Sequence, residues 1–222
     1  KFKINPKELS LFLETQNPKI MYMDLVVPIK NIKVYADFLS LLKSDPNVKK
    51  ISLVFEELDI NQINKLSAMI KPSTFKSLLN NKVKEGKFIA DVDIFLDGEG
   101  LVKDFITKGS VKDLKVELLS NLILQVTDLS FFADKNDILF KNIFGFLDDI
   151  KISKGDIKLN LENGINVNLN FNSNINFNEK IIEKYTNFHK KYNVLKDVKN
   201  LKADLNNNFS IEFDDTYKVK DY

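Results

Sequence analysis

The chain contains no cysteine and a single histidine, and its 33 basic residues are all lysine. Each shortage removes a class of chemistry. Without cysteine there is no disulfide framework, no zinc–thiolate centre and no thiol nucleophile. Without arginine there is no guanidinium fork for bidentate recognition of phosphate or carboxylate, which lowers the prospect of nucleotide, phosphopeptide or specific DNA sites. An AT-rich coding sequence, which favours Lys, Asn, Ile and Phe codons, accounts for this bias. Charges nearly cancel, at net +2 over 222 residues, whereas nucleic-acid binders carry a clear basic excess. The one histidine, His189, sits among lysines with no nucleophile motif nearby and reads as a helix-surface residue rather than a triad member. No apolar run approaches the roughly 18 residues of a membrane helix, and no secretion signal is present. The chain starts at Lys1, so a targeting or anchoring segment is expected outside this sequence, as part of a larger protein.

Other chemical motifs fail on spacing. Gly98 and Gly100 give a fragment of a dinucleotide fingerprint with no third glycine and no strand–helix context. The stretch Asp134–Asp137 begins like a calcium loop but lacks the glycine at its sixth position and the distal glutamate. The pairs Glu56–Glu57, Asp148–Asp149 and Asp214–Asp215 read as turn or edge carboxylates that discourage sheet-to-sheet association. The sequence therefore implies no catalysis, no metal and no cofactor.

What is present is alternation. From Ile165 to Asn178 the text reads INVNLNFNSNINFN, with asparagine at every second place. One face of such a strand carries Ile165, Val167, Leu169, Phe171, Ser173, Ile175 and Phe177; the other carries only neutral amides. At the usual rise its 13 residues to Phe177 span roughly 40 Å, far beyond an ordinary strand. Ile152, Ile157, Leu159 and Leu161 continue the apolar face in the preceding segment, with Ile138, Phe140 and Ile143 as less regular partners one segment earlier.

Strand text dominates elsewhere too. Lys19–Val27, Asn31–Asp37 and Val48–Phe55 read as strands, and Phe38–Leu42 as one helical turn. Asp59 and Gln62 stand in capping-box spacing before a helix carrying Ile60, Ile63, Leu66 and Ile70. Pro72 ends it, and a second short helix follows with Phe75, Leu78 and Leu79. Gly86, Gly98, Gly100, Gly109, Gly155 and Gly164 read as turn punctuation. Glu179–Leu195 is an amphipathic helix with Ile181, Ile182, Tyr185, Phe188 and Tyr192 along one stripe. The expected organisation is a β segment over 1–85 with two short helices at about 59–80. An antiparallel meander over 86–222 follows, interrupted by the helix at about 179–195, the whole forming one continuous architecture.

The apolar face admits three readings: the closed core of a structural or adhesive β-domain, the wall of a sheet curled into a lipid-holding groove, or the outside of a membrane barrel. Barrel strands run only about 9–11 residues between aromatic girdles, and neither feature is present.

The order of elements resembles the AsmA-like proteins, the superfamily of AsmA, TamB and YhdP. The resembling stretches are Ala36–Leu66 and Ile106–Glu162, the second with Gly109, Val111, Asp113, Leu114, Asp128, Leu129, Ile143, Gly145, Ile157 and Leu159 at the places of the repeated strand motifs. The resemblance implies a mainly β fold with a few helices, in which a long curved antiparallel sheet forms an open, taco-like groove. It further implies a non-catalytic protein of the diderm periplasm, anchored to the inner membrane through a segment outside this chain. Phospholipid acyl chains would be its cargo between inner and outer membranes, other envelope proteins its partners, and nucleic acid no partner. The expected groove lining is Ile157, Leu159, Leu161, Ile165, Val167, Leu169, Phe171, Ile175 and Phe177.

Overall fold

A computed structural model describes residues 2–5, 10–22, 25–37, 47–67, 81–119, 122–162, 164–186, 199–214 and 219–221. The strands are β1 (Phe2–Asn5), β2 (Ser10–Gln16), β3 (Lys19–Tyr22), β4 (Leu25–Ala36), β5 (Val48–Phe55), β6 (Leu58–Asp59), β7 (Val83–Leu96), β8 (Val102–Leu119), β9 (Leu122–Asp134), β10 (Asp137–Leu147), β11 (Ile150–Asn160), β12 (Ile165–Asn178), β13 (Asn200–Phe213) and β14 (Val219–Asp221). Two helices are described, α1 (Ile60–Ser67) and α2 (Glu179–Thr186).

The protein is mainly β, and its strands form one long open antiparallel sheet that does not close into a barrel. Chain order is almost sheet order: β1-β2-β4-β5-β7-β8-β9-β10-β11-β12-β13-β14, with β3 attached to β4 and β6 to β7. Between β7 and β12 the connections are only a few residues long, so each strand pairs with the one before it, which is what makes a meander. The sheet runs without interruption across residue 85, through the β5–β7 and β7–β8 ladders.

Several local expectations are met in detail. Asp59 and Gln62 cap α1 reciprocally: the Gln62 N–H donates to Asp59 Oδ1 and the Asp59 N–H to Gln62 Oε1, both at 2.9 Å. The last asparagine of the alternating row, Asn178, caps α2 by accepting the Ile181 N–H at 3.1 Å. The turn Asp97–Leu101 closes β7 onto β8, with Gly100 at φ 80° and the Glu99 and Leu101 N–H groups on Asp97 Oδ1. Asp148 and Asp149 form the turn between β10 and β11.

Other expectations are corrected. The stretch Lys19–Val27 is not one strand: β3 and the start of β4 pair back on each other from Tyr22↔Leu25 to Lys19↔Pro28. Gly86, Gly109 and Gly155 are not turns but lie inside β7, β8 and β11. At Gly109 a Cβ would collide with the Ile89 carbonyl oxygen, and the Phe131 ring lies over the bare backbone. Glycine there serves close approach. The turn at 38–42, the second helix at Phe75–Leu79 and the Phe188–Tyr192 part of the last helix lie outside the described residues, as does His189.

Candidate functional site: one apolar face across the sheet

Register fixes which side each residue takes, because a one-residue slip would reverse every side chain. Val167 pairs with Leu159, Leu169 with Ile157, Phe171 with Gly155 and Ser173 with Ile152. Leu159 and Ile157 in turn pair with Ile138 and Phe140 of β10, which pair with Ala133 and Phe131 of β9. On the other side of β12, Val167 pairs with Ile211, Leu169 with Phe209, Ile175 with Ala203 and Phe177 with Leu201. One apolar face therefore runs strand to strand. The same ladders set Asn168 opposite Lys158 and Ser210, and Asn170 opposite Asp156 and Asn208, which makes the reverse face polar.

Eight of the nine residues expected to line the face sit on it, in β11 and β12. The ninth, Leu161, comes just after the end of β11, 37% exposed, with its N–H on the Asn136 carbonyl. Sequence reasoning missed the whole contribution of β13, where Leu201, Ala203, Leu205, Phe209, Ile211 and Phe213 extend the face. The Phe171 and Phe209 rings stack across the two strands, 6.0 Å between centroids and 22° between planes. Sequence reasoning named Phe140, Ile143 and Ile157 but not the buried cluster that they join. Val111, Val126, Leu129 and Ile143 form a cluster on which Phe88, Leu114, Leu124, Phe131, Phe140 and Ile157 pack, all from β7–β11.

The irregular spacing of Ile138, Phe140 and Ile143 has a physical cause. Inward residues on a regular strand lie two apart, but Val111 and Leu114, Val126 and Leu129, and Phe140 and Ile143 lie three apart and share one side. Each strand carries one extra residue at the same transverse level. Asp113 and Asn142 absorb it in the left-handed region, at φ 50° and 57°, which short polar side chains tolerate best. The Asn142 N–H that leaves the ladder donates to Asp156 Oδ1 at 3.1 Å. Register shifts at the same level occur in β11, between Ile152 and Lys154, and in β7, between Val83 and Lys87. The line of bulges stops at β12, whose fourteen pairs with β13 run without a shift. At its end stands Ser173, a buried polar residue on the apolar face. Asn207 Nδ2 donates to Ser173 Oγ at 3.0 Å and to the Phe171 carbonyl at 3.2 Å, tying β13 to β12 there. The signal was present as a recurring four-residue text, VKDL, VTDL and FKNI at 111–114, 126–129 and 140–143.

The two ends of this face differ. At the end where β7 starts and β12 stops, α1 packs on β4, β6 and β7, and α2 on β12 and β13. Val27, Ile29, Leu58, Ile60, Val83, Phe177 and Ile182 are buried there. At the opposite end, marked by the turn at 97–101 and the start of β12, Leu101 and Val102 are more than half exposed, and so is Phe209 of β13.

A shallow trough of about 450 Å³, open to solvent, is lined by Leu139, Asp156, Lys158, Asn168, Asn170, Asn208 and Ser210 together with Leu169 and Phe209. Among the described residues no group of three or more His, Cys, Asp or Glu side chains is placed to hold a metal ion. The expected near-miss at Asp134–Asp137 is a turn: Asp134 Oδ1 accepts the Asp137 N–H at 2.8 Å and the Asn136 N–H at 2.9 Å. Those two bonds hold its carboxyl below the usual carboxylate range. No described helix is long and apolar enough to cross a membrane. Neither a family model, nor a curated protein, nor a solved structure matches this chain.

Proposed function

We propose that this chain is a non-catalytic, lipid-carrying segment of AsmA-like type. Its apolar face curls into an open groove that holds phospholipid acyl chains in the periplasm of a diderm envelope, between inner and outer membranes. The observation that carries this reading is the line of bulges across β7–β11. A bulge bends its strand and increases its twist. Five adjacent strands bulged at one level bend together, and a bend toward the apolar side lets neighbouring strands cover Val126 and Leu129 without a second layer. Two further features support it: the apolar strip over β12 and β13 stays part-exposed, and helices cover one end of the face while the other stays open.

Such a segment needs no reactive group. An acyl chain loses about 0.8 kcal/mol per CH₂ on leaving a bilayer and regains a similar amount on an apolar wall, so transfer is nearly neutral. Native mass spectrometry of the purified protein tests the reading: phospholipid adducts are expected, released by organic extraction. A protein that carries no lipid, and acquires none from added vesicles, overturns it. The tight cluster around Val126 favours a second reading, a structural or adhesive β-domain whose apolar face is simply core. That reading expects no adduct.

A further inference from the structure

The two edges of the sheet are unequal. At one end the last strand is β1, four residues long. At the other, β14 pairs with β13 only at Glu212 and Phe213, so the outer side of β13 from Asn200 to Ile211 has no neighbour among the described residues. Carbonyl directions show which groups that leaves over. The Phe171 carbonyl accepts from Asn207 in β13, and the next one, of Asn172, accepts from Ser153 in β11. Odd-numbered residues of β12 and β13 therefore face each other across their ladder, and the Phe213 carbonyl, beside Gly164, obeys the same rule. Lys202, Asp204, Asn206, Asn208 and Ser210 point their backbone N–H and C=O groups the other way. Natural edges are blunted by proline, a bulge or an inward charge. β13 has no proline, no register shift against β12 and no charge in its inward row.

We infer that this edge is an interface between two copies of the chain, joined antiparallel about a two-fold axis at Asn206. A row of alternating N–H and C=O groups is matched by another extended strand, and the sequence of β13 is complementary to itself in one register. Only positions of the same parity can oppose each other, because both apolar rows must lie on one side. Centring on Asn206 uses the open stretch from Leu201 to Ile211 and stops where β14 begins. It sets Leu201 opposite Ile211, and Phe209, more than half exposed, opposite the small Ala203. On the polar side it sets Lys202 opposite Ser210, Asp204 opposite Asn208 and Asn206 opposite its own copy, so no like charges meet. Amide opposite amide is already how β12 meets β13, at Asn172↔Asn206 and Asn170↔Asn208. Centring on Asp204 would set that carboxylate against itself, and centring on Asn208 would run the second copy into β14. The pairing lies in the plane of the sheet and leaves the apolar face open, so it needs no lipid there.

Analytical ultracentrifugation of the intact chain tests this, and a concentration-dependent dimer is expected. Asn206→Pro removes an N–H that points away from β12, which an edge strand tolerates. It should weaken the dimer at least about ten-fold while the circular dichroism spectrum stays with the parent. A second readout does not depend on how that variant folds. The chain has no cysteine of its own, so Asn206→Cys can link only to its own copy, and directly opposed residues of an antiparallel pair lie within disulfide reach. Mild oxidation should convert it to a covalent dimer. Asn168→Cys, exposed on the same polar side but one strand in from the edge, should stay uncrosslinked. The inference is overturned if the parent sediments as a monomer at every concentration, since the edge is then covered by its own chain or kept for a strand of another protein. It is equally overturned if folded Asn206→Pro dimerises like the parent, or if Asn206→Cys crosslinks no faster than Asn168→Cys.

Discussion

Val126 and Phe209 lie on the same face of the same sheet, yet one is 2% exposed and the other 53%. Val126 belongs to the bulged strands, where it packs in a cluster with Val111, Leu129 and Ile143; Phe209 belongs to the regular β12–β13 pair, where its ring stacks on Phe171 and stays half exposed. Residue type does not explain the difference, since both are apolar residues at inward positions. Strand geometry does. Five of the strands carry an extra residue at one level, and the β12–β13 pair carries none. The bulged half of the face behaves as core, and the regular half keeps apolar surface available.

The largest expected effect breaks the bulged half. Leu129→Ala should cost about 2–4 kcal/mol, as for other buried leucines, whereas Leu205→Ala in β13 should cost less than about 1 kcal/mol because that side chain is already well exposed. Urea denaturation of the two variants measures the contrast directly, and equal losses would remove it. Next come the bulges themselves. Asp113→Val and Asn142→Val each force a β-branched residue into the left-handed region and should cost about 1–2 kcal/mol, while glycine at either position should be tolerated within about 0.5 kcal/mol. Glycine variants as damaging as valine would mean that side-chain contacts, not backbone conformation, matter there.

A smaller effect tests the turn at the open end. Asp134 has a folded-state pKa below its unfolded value, so its stabilisation is present above the unfolded pKa of about 3.9 and fades as pH falls through the folded pKa. Asp134→Ala should melt slightly below the parent at neutral pH, and the difference should vanish in acid. The smallest effect belongs to the amide face. Asn170→Lys should shift stability by no more than about 0.5 kcal/mol, and a loss of several kcal/mol would place that face inside.

How much of this was legible from sequence depends on regularity. The alternation of β12 reads off directly because its period of two never breaks, and the cap of α1 because its two residues stand only three apart in text. The segment from Asp137 to Leu147 resisted reading because DILFKNIFGFL is apolar in either phase; only Gly145, which alone fits against the Gln125 carbonyl, decides which phase turns inward. Gly109 looked like punctuation because glycine breaks strands as often as it relieves a crowded one. Residues 199–213 read as strand text, but their share of the apolar face escaped for a different reason. Its inward row contains Asn207, which interrupts the apolar pattern, yet that amide is held by Ser173 and the Phe171 carbonyl, partners visible only once the strands are paired.

The claim that the regular half of the face holds acyl chains is tested most directly by photo-crosslinking from within it. A benzophenone amino acid placed singly at Leu169, Phe209 or Phe177, illuminated in cells, should yield phospholipid adducts from Leu169 and Phe209. It should yield protein-only products from Phe177, which is buried at the end that the helices cover. Protein-only products from all three positions would contradict the account.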